Sequence, residues 1–218
     1  VVENGAALCY SFQCTGLTHS CTLMPMIDSM LTNAAISLEQ IDRIAVAVGP
    51  GSFTGLRIGI SAAKGLAWAR ELPCVGVSTL EAMAQNLRHM DALIIGAMDA
   101  RRSQIYNALF WADGHSLHRL SEDRAIALAE LTEELRNDPR KKLILGDGGS
   151  LCFQAMQEAG IDCALAPSEL LYQNAIGVGL AAEQGTPVSA QELSPIYLRI
   201  PQAERERNAR LQKEGLQL

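Results

Sequence analysis

The sequence predicts an α/β protein built of two similar halves. Three observations carry this. Short apolar runs of strand length alternate with stretches of helical period. Two glycine loops, residues 49–51 and 146–149, each lead from an apolar run into a helical one. A hairpin opens each half, with Glu3-Asn4-Gly5 and Asp113-Gly114 supplying the turns.

The elements follow in order. After the first hairpin, Leu23, Met26 or Ile27, Met30 and Ala34 lie on one helical stripe, with Thr18 or Ser20 as N-cap. Pro25 suits that helix only in its first turn. Ser37 and Gln40 have capping-box spacing. Residues 44–48 form a strand apolar on both faces, so a sheet covered on both sides is expected. A glycine loop and a long helix follow, ending near Arg70. Residues 74–78 are a strand, the TLEAMAQNLRHM stretch a helix capped by Ser78 or Thr79, and ALIIGAMDAR a strand ending at Asp99. The second half repeats the scheme: hairpin, the helix ALAELTEELRN, a strand at 143–145, a glycine loop and the helix SLCFQAMQEAG. A helix over 170–183 and an extended SPIYLRIP segment complete it. These features divide the chain into residues 1–98, 99–200 and a charged helical tail, 201–218.

Composition bounds the function. Of 218 residues 48% are hydrophobic and 19% charged, the profile of an ordinary globular protein. The net charge of −6 disfavours nucleic-acid binding by this chain alone, because phosphate contacts need a basic surface. No apolar run reaches the length of a membrane span, and no signal peptide is visible. Cys9, Cys14, Cys21, Cys74, Cys152 and Cys163 form no C-x-x-C and stand in apolar surroundings. They read as reduced, buried thiols of a cytoplasmic protein. The chain starts at Val1, midway through what looks like a hairpin, so a preceding strand is expected.

The stretch GPGSFTG is the strongest local signal. A P-loop needs Gly-Lys-Ser/Thr at the helix start, yet the first lysine here is Lys64; Gly49, Gly51 and Gly55 also miss the G-x-G-x-x-G spacing. The helix N-terminus still favours anions, which leaves Gly49, Gly51 and Ser52 as candidate phosphate contacts. Gly55, Gly59, Ala63 and Ala67 recur every fourth residue, a ridge small enough for a second helix to approach closely. Each helical glycine costs about 0.8–1.0 kcal/mol relative to alanine, so packing must offset it. The expected companion is the first helix, through His19, Leu23, Ile27 and Met30, and the two together should present a partner surface.

Other candidates each have two readings. Asp99 with Arg101 and Arg102 suits phosphate or metal binding, or a hinge pair. Asp147 suits a nucleoside contact, or a cap on the following helix. His115 and His118 beside Asp113 suggest a metal cluster, or exposed turn residues. No catalytic set and no metal site is assigned.

Several segments together resemble the bacterial TsaB (YeaZ) family. GPGSFTGLRIGISAAKGLA is similar to its glycine-loop signature. His19, Ser20, Leu23 and Pro25 match its HS-x-x-L-x-P helix, and GVSTLEAMA, MDARRSQIY and PIYLRIPQAERER match further segments in the same order. The resemblance implies the duplicated α/β fold called ASKHA (actin/sugar kinase/Hsp70-like), two subdomains each with a mixed sheet flanked by helices. It implies a non-catalytic partner of the TsaD threonylcarbamoyltransferase and the TsaE ATPase, acting in N6-threonylcarbamoyladenosine formation at tRNA position 37. It also implies tRNA contact only through the complex, self-association as a homodimer, no cofactor of its own, and ATP or ADP at the complex interface. The alternative within the same superfamily is a nucleotide-binding enzyme, a small-molecule kinase or ATPase.

Overall fold

The computed structural model describes residues 1–13 and 19–199. It begins with a hairpin of β1 (Val2–Glu3) and β2 (Ala6–Ala7). Asn4 and Gly5 at its turn both have positive φ, 50° and 77°, as a tight two-residue turn requires. Helix α1 (His19–Asn33) follows, then a 3-10 turn at Leu38–Gln40, where the Ser37 N–H donates to Gln40 Oε1 at 2.8 Å. Strand β3 (Ile44–Gly49) leads through the glycine loop into α2 (Phe53–Trp68), and β4 (Cys74–Ser78) pairs parallel to β3. Helix α3 (Thr79–Ala84) starts at Ser78, whose Oγ accepts from the Glu81 N–H.

The second sheet is larger. Strands β5 (Asp91–Asp99) and β6 (Gln104–Asp113) pair antiparallel from Asp91 opposite Asp113 to Asp99 opposite Ile105. Strands β7 (Leu117–Arg119) and β8 (Arg124–Ala127) both pair with β6. After α4 (Leu128–Leu135), β9 (Lys142–Leu145) lies parallel to β5. Helix α5 (Gly149–Glu158), β10 (Ala164–Leu165) beside β9, and α6 (Ala175–Ala182) complete the order.

Alternation along β5 explains the layering. Ala92, Ile94 and Met98 point to one face, where Leu80 and Met83 of α3 meet Phe110 and Leu145. Leu93, Ile95 and Ala97 point to the other, against Leu131 and Leu135 of α4 and Met156 of α5. Each such large side chain, withdrawn fully from water, contributes about 1.5–3 kcal/mol. The small sheet is also covered twice, by α2 on one face and by α6 with Ala82 of α3 on the other. Helices α3 and α6 therefore lie between the two sheets, and α2 with α1 lies outside the small one.

Four expectations are corrected here. The strand ending at Asp99 belongs by hydrogen bonding to the second sheet, so the first half ends before β5 rather than at residue 98. The chain also returns: α6 packs on the small sheet, and Val188 bridges Cys74 with two 2.8 Å backbone bonds. The unit drawn as 99–200 thus contributes to both halves. Pro25 stands in the second turn of α1, not the first. The expected helix over 170–183 begins only at Ala175, because Asn174 caps it by accepting from the Gly177 N–H at 2.9 Å. Cys14, the candidate cap Thr18 and the charged tail lie outside the described residues.

Candidate docking surface and the glycine loops

No residue of α1 is buried, although Leu23, Ile27 and Met30 are half-buried along one side. Between α1 and α2 runs an open groove of about 360 Å³, lined by His19, Leu23 and Met24 of α1 and by Arg57, Ile58 and Ala62 of α2. Met24 is 44% exposed. A helix that covers its neighbour so incompletely leaves an apolar strip facing water. The expected pairing of α1 with α2 is therefore present, but not through the ridge.

The ridge turns inward. Ala63 and Ala67 are buried in a cluster with Val48, Cys74 and Leu193. A β-carbon on Gly59 would meet Val46 at 3.7 Å, and one on Gly55 would meet Ser52. Gly59, Ala63 and Ala67 thus seat α2 on its own sheet, while Gly55 faces only the N-cap Ser52. A sheet surface accepts small residues every fourth position as readily as a helix does, which is why the spacing named the wrong neighbour. Close helix approach occurs elsewhere: a β-carbon on Gly177 of α6 would lie 2.0 Å from the Ala82 carbonyl oxygen of α3. The small residues Gly177 and Ala181, four apart, carried that signal unread.

The first glycine loop is occupied by the chain itself. Ile196 N–H donates to the Val48 carbonyl at 2.8 Å. Gly49, at φ 135°, leaves room for the Ile196 carbonyl, and Gly51 faces Leu56. Ser52 is the N-cap of α2, its Oγ accepting from the Gly55 N–H at 3.3 Å. Tyr197 stacks on Phe53 with ring centroids 5.0 Å apart, and Arg57 lies over the other ring partner, 4.0 Å from the Phe53 centroid.

The second loop abuts β5. Gly146 has φ 106°, and β-carbons on Gly146 or Gly148 would strike the backbone of residues 97–99. Asp147 is not the cap of α5: Gly148 holds that position, and Asp147 Oδ1 accepts from the Asp99 N–H at 3.1 Å. Asp99 Oδ1 accepts from the Arg101 backbone N–H, so the hinge pair of Asp99 with arginine side chains is not the contact made. Arg101, Arg102 and Ser103 all have positive φ in this exposed turn. Arg199 reaches the Ala100 carbonyl beside it.

At the second hairpin, Asp113 accepts from the N–H groups of Ser116 and His115 and faces His118 Nε2 at 3.1 Å. These bonds hold its carboxyl far below the usual range, the Ser116 N–H contributing most, then that of His115, then His118. His115 lies in the exposed turn, whereas His118 is an exposed residue of β7 rather than of the turn, and no group of three potential metal ligands exists among the described residues. Of the cysteines, Cys74 and Cys152 are buried, Cys9 and Cys163 half-buried, and Cys21 exposed on α1, which corrects the expectation of general burial. Among the described residues no helix is long and apolar enough to cross a membrane.

Comparison with known proteins agrees with this architecture. The family model described as TsaD, tRNA N6-adenosine threonylcarbamoyltransferase, matches residues 13–183. The tRNA threonylcarbamoyladenosine biosynthesis protein TsaB of Bacillus subtilis is 35% identical over 85% of this chain and 82% of its own. That of Escherichia coli is 33% identical over 83% and 80%. The solved structure of YeaZ from Pseudomonas aeruginosa superposes with a TM-score of 0.70 at 26% identity, covering 85% of this chain and 87% of that one. Another, described as an uncharacterized protein with similarity to peptidase YeaZ from Pseudomonas aeruginosa, gives 0.71 at 28% identity, covering 84% and 85%. The two-sheet α/β fold is thus the expected duplicated one, and the chain belongs to the TsaB (YeaZ) family.

Proposed function

We propose that this chain serves N6-threonylcarbamoyladenosine formation on tRNA as a non-catalytic subunit, docking a TsaD-like threonylcarbamoyltransferase through the α1–α2 face. One observation carries the reading: α1 has no buried residue and leaves an apolar groove open against α2. A contiguous apolar strip on a folded domain marks a place for another protein. Of the expected α1 residues, His19 and Leu23 line the groove, and the half-buried Ile27 and Met30 continue the same helix beyond it. The same face serves self-association as a homodimer, so the two pairings compete.

The rest of the reading extends the family resemblance. A TsaE-like ATPase joins the assembly, tRNA is engaged only through it, and ATP or ADP binds at the interface rather than in this subunit. The chain is expected to act in the cytoplasm. Against the kinase or ATPase alternative stand the loop contacts, since Ser52 is engaged as a cap and Asp147 by the Asp99 amide.

Reconstitution tests it. With a TsaD-like subunit, a TsaE-like ATPase, a threonylcarbamoyl donor and tRNA, omitting this chain should abolish modification. The chain alone should turn over neither tRNA nor ATP. Turnover by the isolated chain at about 1 per second, within the ordinary enzyme range, would overturn the non-catalytic reading.

A further inference from the structure

Arg57 has two roles in the geometry. Its guanidinium lines the α1–α2 groove. It is also held from behind by the C-terminal strap: Nε donates to Tyr197 Oη at 3.1 Å, and the group lies 4.0 Å above the Phe53 ring on which Tyr197 stacks. The strap is anchored on both sides of this contact. Leu193 is buried beneath α2, Ile196 bonds Val48, and Arg199 bonds the Ala100 carbonyl. An arginine side chain normally loses much rotamer freedom on ordering. Here that ordering is done before any partner arrives, by residues 140 positions away in sequence.

The charge pattern of the two helices says what this arginine meets. Among the described residues lining the groove, Arg57 alone carries a permanent charge. Helix α1 carries one carboxylate, Asp28, and neither lysine nor arginine. Asp28 is exposed and stands four residues beyond Met24, on the same helical stripe that lines the groove. The other cation of α2, Lys64, is directed to the Gln191 carbonyl. The open face is therefore apolar with one positive and one negative group, each on a different helix. Such a patch complements itself under two-fold symmetry, where each contact occurs twice.

We propose that the strap residue Tyr197, with Phe53, is a positioning device that presents Arg57 to the carboxylate of Asp28 in a second copy of this chain, so that the C-terminal segment tunes pairing across the α1–α2 groove. The proposal rests on the docking reading above and adds to it the residues that set specificity. Partly desolvated charge pairs at an interface discriminate between partners more strongly than they add affinity. A strap released from Phe53 leaves Arg57 mobile and the pairing weaker.

Sedimentation equilibrium of the full chain tests this, with circular dichroism melting on each variant to establish folding. Arg57→Glu and Asp28→Arg should each weaken dimerisation at least about tenfold, the scale of a mispaired interfacial charge. The double variant should recover most of the loss. Tyr197→Phe keeps the ring stack and removes the hydroxyl; it should weaken pairing severalfold in the native background and have no effect beside Arg57→Ala. A double swap that does not recover, or a Tyr197→Phe effect that persists without Arg57, overturns the proposal. Met24→Glu separates the two readings. If it leaves dimerisation intact, the groove is not the docking surface and both readings fall. If it abolishes dimerisation while the charge variants are silent, only the present one falls.

Discussion

Gly49 and Ile196 meet backbone to backbone: a β-carbon on Gly49 would stand 2.4 Å from the Ile196 carbonyl oxygen. With φ at 135°, the position is also one that L side chains rarely adopt. The glycine of the most conspicuous loop in the sequence thus makes room for the protein's own C-terminal strap.

Gly49→Ala should accordingly destabilise the fold by about 1–3 kcal/mol, the scale of a non-glycine residue forced into a sparsely populated backbone region. Urea denaturation checks it. An alanine variant of native stability would mean that the strap does not sit in the loop.

One substitution on α2 and one on α1 should separate packing from docking. Gly59 faces Val46 of β3, so Gly59→Leu should cost stability, about 1–3 kcal/mol for overpacking. Met24→Glu places its charge on the open groove and should leave the melting temperature nearly unchanged while weakening association. Melting curves and sedimentation read the two effects; the opposite pattern would put the ridge at the interface after all.

Thiol chemistry should follow burial. Burial pushes the Cys152 thiol up to about 12, with Cys163 adding to the shift, and burial raises Cys74 as well. The thiolate is the reactive form. Both residues should resist a thiol reagent in the native protein and react in denaturant, as peptide mapping after labelling would reveal. Rapid native labelling of Cys152 would contradict the packing of α5 against the large sheet.

Acid should loosen the second hairpin through Asp113. Its folded-state pKa is depressed, by the N–H groups of Ser116 and His115 first and then by His118. A depressed carboxyl contributes stability above its unfolded pKa of about 3.9, and that contribution fades as pH falls toward the folded value. Asp113→Asn should therefore flatten the acid limb below about pH 4 and leave its slope near neutrality unchanged. Chemical denaturation from about pH 2 to about pH 7, which brackets the ordinary carboxylate value of about 3.9, reads this; an unaltered acid limb would show that the turn bonds carry no linkage.

The elements that form the proposed docking face were legible in the sequence. The stripe of Leu23, Ile27 and Met30 identified α1, and the two glycine loops and the turns at Asn4-Gly5 and Asp113-Gly114 are where they were expected. Arg57 and Tyr197 were not legible as a pair. Nothing local links an arginine inside a helix to a tyrosine in a distant extended segment. Nor did spacing show that Asp147 would bond the Asp99 amide, since a capping aspartate and a cross-loop aspartate look the same in sequence.

What the sequence determined by itself was local: the period of each element, the positions of turns, the α/β class and the likeness to one family. Periodicity records which face of an element is buried because that face repeats every two residues in a strand and every three to four in a helix. It does not record what covers that face. The tertiary structure alone decided that Gly59, Ala63 and Ala67 of the ridge lie on β3 and β4, that β5 pairs with β6, and that the strap at Ile196 fills the glycine loop. Those choices depend on hydrogen bonds and contacts between residues far apart in the chain, whose free energies exist only once the whole molecule has closed around them.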